Sequence, residues 1–239
     1  MSNLFSLNIH HAFMERAIEL AKKGLGKVSP NPLVGCIIVK NGEIIGEGYH
    51  DEFGGDHAEI SAYKNSIKDP VESTIYVTLE PCSIKGKTPP CTDFLISNGI
   101  REVYIGMLDP NPLVNGNGIK ELESAGIKVH LNILKDECKN LNKGYIKWQS
   151  TKRPWIIVKA AESSNGYLGI DSNSQTQITQ PESILHVHKL RTTVDAILIG
   201  RQTAVIDNPQ LTVRKIVGKN PLRIVLDTNR KLPLSLKIF

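Results

Sequence analysis

The apolar positions of this chain switch repeatedly between two periods. From His10 to Gly24, Phe13, Ala17, Leu20 and Ala21 recur at helical spacing, and Gly24 supplies a stop. Two prolines make Ser29-Pro30-Asn31-Pro32 a loop. Apolar runs at 33–39 and Glu43–Tyr49 flank Lys40-Asn41-Gly42, and Asn-Gly between such runs is a strong hairpin signal. The pattern then predicts a helix from near His57, a buried strand over Thr74–Leu79, and a helix over 92–98. A strand over 101–106, a helix over 118–124, a strand over 127–131 and a helix over 135–147 follow. Strands alternating with helices predict an α/β sandwich with a partly parallel sheet. Residues 149–153 read as a polar linker ending at Pro154. After it the pattern restarts, with strand 155–160, helix 181–191, strand 195–199 and strand Leu222–Leu226. The expected division is therefore a domain over 1–148, a linker over 149–153, and the opening of a second α/β domain over 154–239. About 90 residues of that second domain are present, fewer than a half-sheet of this kind needs to cover its core. Its segment is expected to be poorly stable unless it pairs with another chain.

Composition narrows the partners. No run of 18 apolar residues suggests a membrane span. Residues 1–149 carry 16 Lys and Arg against 18 Asp and Glu, net −2; residues 150–239 carry 13 against 6, net +7. The basic residues of the second half are scattered, with few aromatics between them. That weighs against a nucleic-acid surface, and a phosphorylated small molecule explains the charge equally well. The N-terminus lacks a basic region followed by an apolar run, so a cytoplasmic chain with reduced thiols is expected. Of four cysteines, Cys36 sits inside an apolar run and reads as core, and Cys138 receives no role.

Two segments fit together as one zinc site: His57-Ala58-Glu59, then Pro81-Cys82 followed by Pro89-Pro90-Cys91. One imidazole and two thiolates leave a fourth tetrahedral position open, as catalytic zinc requires. Zinc lowers the pKa of water in that position to roughly 7. Glu59, two residues past the histidine, can move protons without binding the metal, which is the pattern of zinc-dependent nucleobase deaminases. Both segments fall near predicted helix N-termini, where partial positive charge favours thiolate at Cys91. The competing reading, a Cys82–Cys91 disulfide, needs an oxidising compartment.

With these residues in place, the chain resembles the bifunctional riboflavin-biosynthesis deaminase/reductase family. The resemblance rests on Ser29-Pro30-Asn31-Pro32-Leu33-Val34-Gly35, His57-Ala58-Glu59, Thr78-Leu79-Glu80-Pro81-Cys82-Ser83, Gly86-Lys87-Thr88-Pro89-Pro90-Cys91 and Asp109-Pro110-Asn111-Pro112. Eight residues separate the cysteines, against two in the cytidine and tRNA-adenosine deaminases of this fold. The resemblance implies a cytidine-deaminase-like α/β/α sandwich with a zinc site, followed by an incomplete dihydrofolate-reductase-like α/β reductase domain. It implies hydrolytic deamination of a diaminopyrimidinone carrying a ribosylamino 5′-phosphate. His57, Cys82 and Cys91 would hold Zn2+ and Glu59 would be catalytic. Asn31, His50, Lys87 and Asn111 would contact substrate, although Asn31 and Asn111 also suit Asn-Pro turns. One departure is Ile84, where the family commonly has a histidine that helps hold substrate.

The family's second domain is an NADPH-dependent reductase. By resemblance Lys159, Thr203 and Asp207 match cofactor-side positions, and Arg191, Leu211 and Arg214 match substrate-side positions where arginines would grip phosphate. Family segments reading Ala-Ser-Leu-Asp-Gly and Ser-x-Trp-Ile-Thr stand here as Glu162-Ser163-Ser164-Asn165-Gly166 and Gln175-Thr176-Gln177-Ile178-Thr179. The later glycine-rich segment that cradles the dinucleotide phosphates is absent from this sequence. This polypeptide is therefore expected to lack reductase activity, with NADPH a cofactor only if that half functions. The expected partner is a small phosphorylated pyrimidine, with no nucleic acid or membrane, and a homo-oligomer is possible for the family. Two rivals remain open: another nucleobase deaminase of the same fold, and a non-catalytic zinc-bearing partner of a separate reductase.

Overall fold

The computed structural model describes residues 2–84, 89–169 and 176–239. Contacts divide the chain into two units, Met1–Trp155 and Ile156–Phe239. The first unit holds α1 (Ser2–Ala21), β1 (Gly35–Lys40), β2 (Glu43–Tyr49), α2 (Ala58–Lys64), β3 (Thr74–Leu79) and α3 (Cys91–Ser97). It continues through β4 (Glu102–Met107), α4 (Asn117–Ser124), β5 (Lys128–Leu131), α5 (Lys135–Leu141) and α6 (Lys143–Thr151). The sheet order is β2-β1-β3-β4-β5. β1 is antiparallel to β2 and β3, whereas β3, β4 and β5 are parallel.

The β1–β2 turn places Asn41 at φ 53° and Gly42 at φ 81°. Both are left-handed, which matches the twist of the two strands and explains the Asn-Gly pair. Every residue of β3 is buried. A strand covered on both faces needs a near-continuous apolar run, and the sequence supplies one. On one face Cys36, Ile38, Ile75, Val77, Val103 and Ile105 meet Ala58 and Ala62 of α2, Leu95 of α3 and Leu122 of α4. On the other, Ile37, Val39, Tyr76 and Tyr104 meet Met14, Ala17 and Leu20 of α1 and Cys138 of α5. The unit is thus an α/β/α sandwich. Gly48 brings α2 close: a Cβ there would run into the backbone of Ala58 and Ala62. The rings of Tyr63 on α2 and Phe94 on α3 meet edge to face at 5.1 Å, which ties those two helices together.

Three expectations for this unit need correction. The first helix begins at Ser2, well before His10. The helix expected over 135–147 is two helices, broken at Asn142, whose backbone leaves helical geometry (φ −112°, ψ 26°). The buried Asn142 amide accepts the Leu33 N–H at 2.8 Å and donates to the Leu33 carbonyl at 2.9 Å, and these bonds fix the break. Asn142→Ala would orphan both main-chain groups. It is expected to lower unfolding free energy by on the order of 2–4 kcal/mol, read from urea denaturation of the intact chain. Finally, α6 runs through Thr151, so residues 149–151 are helical instead of linker. Ser150 and Thr151 donate their hydroxyls to the carbonyls of Ile146 and Lys147. Helix ends at Lys152, at φ 53°, just before Arg153-Pro154.

The second unit contains α7 (Pro181–Thr192), β6 (Ala196–Gly200), α8 (Arg201–Asp207) and β7 (Leu222–Leu226). β6 and β7 pair in parallel. Residues 155–160, expected as a strand, form none: no ladder partner lies beside them among the described residues, and all six are exposed. α8 carries no strong start or stop signal except the Asn208-Pro209 that follows it.

Candidate active site

The site lies where β3 ends and α2 and α3 begin. His57 is the N-cap of α2, and Cys91 is the first residue of α3. Cys82 arrives from the β3 end through Pro81. The His57 Nδ1 stands 3.1 Å from Cys91 Sγ and 3.5 Å from Cys82 Sγ, and the three donor atoms lie within 4.8 Å of one another. Tetrahedral bonds of about 2.0–2.3 Å separate nitrogen from sulfur by about 3.5 Å, so these residues fit a zinc ion with one position left over. The Cys91 N–H also donates to Cys82 Sγ at 3.4 Å. The hydrogen bond with Cys91 pulls the Cys82 thiol down to about 4, and the same bond, with burial, drives Cys91 upward. The bond to Cys82 raises His57 to about 9. Thiolate character thus falls on Cys82 and not, as the helix start suggested, on Cys91, whose thiol is buried against it.

Glu59 occupies the first turn of α2, 3% exposed, and its carboxyl bonds the Cys91 thiol. Burial pushes this carboxyl above its ordinary range. His50 is buried with its ring 5.7 Å from that of His57. Its Nδ1 faces the Asp56 carbonyl at 2.9 Å and so carries the proton, which leaves Nε2 to accept from Asn31 Nδ2 at 3.0 Å. Asn31 and His50 are thus brought together beside the metal trio. Burial lowers His50 below the ordinary 6.5. The unfolded chain therefore takes up this proton more readily. Stability supplied by neutral His50 is present above pH 6.5 and is lost as pH falls below it. In His50→Gln the slope of stability against pH over that acid range is expected to flatten, measured by denaturation at a series of pH values.

Asn111 stands in a loop: its side-chain oxygen accepts the Leu113 N–H at 3.1 Å, and its own N–H donates to Asp109 at 2.8 Å. Lys87 lies outside the described residues. Ile84 lines a cavity of about 540 Å³ with Ser83, Leu113, Asn117, Lys120 and Glu121. In the second unit, Arg191, Asp207, Leu211 and Arg214 come together around a cavity of about 400 Å³. Lys159 and Thr203 are exposed and line neither cavity. His188 on α7 is buried and accepts the Arg214 N–H at 3.3 Å, a structural role. Sequence reasoning passed over Glu80 and Tyr145. Glu80 carries the signal of a charged residue at the end of a fully buried strand. Tyr145 donates to Asp109 at 2.9 Å across 36 residues and carries no local signal.

Residues 7–107 match the family described as the cytidine and deoxycytidylate deaminase zinc-binding region, and residues 154–239 match the RibD C-terminal domain. The riboflavin biosynthesis protein RibD of Actinobacillus pleuropneumoniae is 45% identical over 237 residues, covering 99% of this chain and 63% of that protein. The RibD of Aquifex aeolicus is 42% identical over 227 residues, covering 95% of this chain and 64% of its own length. A crystal structure of a diaminohydroxyphosphoribosylaminopyrimidine deaminase/5-amino-6-(5-phosphoribosylamino)uracil reductase from Thermotoga maritima superposes with a TM-score of 0.92 at 42% identity. That match covers 98% of this chain and 67% of that one. The chain thus spans a little under two thirds of the curated relatives it matches.

Proposed function

This chain belongs to the RibD family of riboflavin biosynthesis, and from that premise we propose that its first unit hydrolytically deaminates 2,5-diamino-6-ribosylamino-4(3H)-pyrimidinone 5′-phosphate. The observation that carries the reading is the His57, Cys82 and Cys91 trio with Glu59 buried against it. Zinc held by His57, Cys82 and Cys91 would supply Lewis acidity, which brings the pKa of water to roughly 7. Glu59 takes a proton from the attacking water on a carboxylate oxygen. It delivers that proton to the ring nitrogen, then takes the proton of the newly attached hydroxyl and passes it to the amine, so that the C–N bond breaks as the C=O forms and neutral ammonia leaves. Asn31, whose Nδ2 is engaged by His50, would offer its Oδ1 to the pyrimidine as an acceptor. His50 uses both ring nitrogens on protein partners, so it acts by orienting Asn31. Asn111 and Lys87 are proposed to contact ribose and phosphate, and Ile84 offers an apolar wall on the same loop as Cys82. The thiolate chemistry of Cys82 and Cys91 suits a reducing, cytoplasmic setting. No helix among the described residues is long and apolar enough to cross a membrane.

In the second unit Arg191 and Arg214, with Lys237, are proposed to hold a phosphate in the cavity that Asp207 and Leu211 also line. NADPH would engage Thr203, Asp207 and Lys159. Gln177 stands where the family places a tryptophan against the cofactor, and for that reason no ribityl product is expected from this polypeptide.

Mass spectrometry after mixing zinc-loaded protein, substrate and NADPH tests both halves. A gain of about one dalton, amine to oxygen, is the expected result. A gain of about three would show that reduction also runs and would overturn the reading of the second unit. An unchanged mass would overturn the deaminase reading itself.

A further inference from the structure

Glu80 is a buried carboxylate, 3% exposed, that the proposed chemistry does not use. It follows the last residue of β3 and lies two residues before Cys82. Its Oε2 accepts the Asp109 N–H at 3.2 Å, its Oε1 accepts the Gly118 N–H at 3.1 Å, and both oxygens accept the Gly116 N–H, at 2.9 and 3.0 Å. Three main-chain amides, those of Asp109, of the α4 N-cap Gly116 and of Gly118 in the first turn of α4, thus converge on one side chain. Gly116 sits at φ 80°, a left-handed geometry that aims its amide inward at the start of α4.

The two ends of this arrangement both reach the active site. On one side, the Glu80 N–H donates to the Met107 carbonyl at 2.9 Å, and Pro81 has a fixed φ, so little freedom remains between Glu80 and Cys82. The Cys82 carbonyl is further held by the Thr92 N–H at 3.2 Å. A Cβ at Gly118 would run into the Pro81 carbonyl oxygen, so loop and joint are in direct contact. On the other side, the held loop carries Asn111. Its own shape comes from Asp109 and Asn111 accepting nearby amides, and from the Tyr145 hydroxyl donating to Asp109. Those bonds fold the loop; Glu80 ties it to the metal-binding joint.

We propose that Glu80 is a positioning residue: by holding the amides of Asp109, Gly116 and Gly118, it sets the place of the Asn111 loop relative to the metal ligand Cys82. For its kinetic consequence the inference rests on the deaminase reading; for its effect on metal geometry it does not. Glutamine at this position keeps the volume but turns a donor toward an amide N–H, which pushes the loop off the joint. Displacements on the ångström scale at a site of this kind are large in kinetic terms.

The test compares wild type, Glu80→Gln and a control, Cys138→Ala, whose buried thiol packs against Gly106 on the opposite face of the sheet. Glu80→Gln is expected to keep full metal content, to raise KM about tenfold or more, and to change kcat much less. With cobalt(II) replacing zinc, the visible bands of Glu80→Gln are expected to shift, because Cys82 moves, while those of Cys138→Ala superpose on wild type. A KM within about twofold of wild type, or no larger than that of the control, overturns the inference. So does a cobalt spectrum that superposes on wild type. Should Glu80→Gln not fold, Gly116→Ala, which strains the φ 80° amide with open space around it, carries the same expectations. If wild type itself deaminates nothing, the deaminase reading fails and the cobalt spectra alone decide the inference.

Discussion

Glu59→Gln is expected to lower the rate of ammonia release about a thousandfold while zinc content stays unchanged. Glutamine has the volume of glutamate, so the first turn of α2 and its packing against β2 survive. None of the three metal ligands changes. What disappears is a group that can take a proton from water, give it to the ring nitrogen, and later protonate a poor leaving group. Burial already raises the Glu59 carboxyl, which brings it nearer the pH at which both directions of transfer are fast. Steady-state ammonia release together with metal analysis checks this. Turnover within about tenfold of wild type would remove Glu59 from the chemistry. Loss of zinc alongside loss of rate would show that Glu59 holds the site together.

Cys82→Ser is expected to strip the protein of zinc and, with it, all measurable deamination. A serine hydroxyl does not ionise near neutral pH, so the site keeps only His57 and Cys91. The loss in affinity should exceed about a hundredfold, the upper range for merely supporting residues. The wild-type site also carries a pH signature. Binding zinc requires the proton to leave both His57, which sits at about 9 in the metal-free chain, and Cys91, which is driven higher still. Affinity therefore weakens as pH falls below 9, by up to about a hundredfold per pH unit for two displaced protons. In Cys82→Ser the bond that raised His57 is gone, and the slope near neutral pH should be shallower. Competition with a chromophoric chelator at several pH values measures both. Stoichiometric zinc in Cys82→Ser would mean that Cys82 is no ligand.

The parts of the fold that the sequence reveals are those whose cause is local. Glu43–Tyr49, Thr74–Leu79 and Leu222–Leu226 are strands with those very bounds, because each is a stretch with β-branched or aromatic residues closed by turn residues. His57 and Cys91 stand at helix starts as their spacing suggests. The features that escape are set by distant partners. Asn142 breaks a helix because Leu33 needs its amide, and Gly106 is small because Cys138 lies on it. α8 spans only seven residues, too few for periodicity to register. Glu80 reads as a polar flank of the Pro-Cys motif until the amides it collects, some thirty or more residues onward, are in view. At the site, the metal trio is legible because the histidine and both cysteines stand in one order and spacing that a zinc site requires, and the structure gathers them. The Asn31–His50 pairing is not, because it depends on which ring nitrogen faces Asp56.

The bond between Leu33 and Asn142 spans 109 residues of chain. A ribosome delivers Leu33 long before Asn142, at about 5–20 residues per second, so during translation the segment around Asn31 must wait several seconds for its latch. Through that interval the sheet can pair strand by strand while the 29–32 loop still lacks its partner on the nascent chain. Length alone adds little to the cost of closing such a loop, so the delay comes from synthesis and not from chain entropy. On the ribosome the first unit thus has the strands of its sheet before it has the bond that fixes the segment after Pro32.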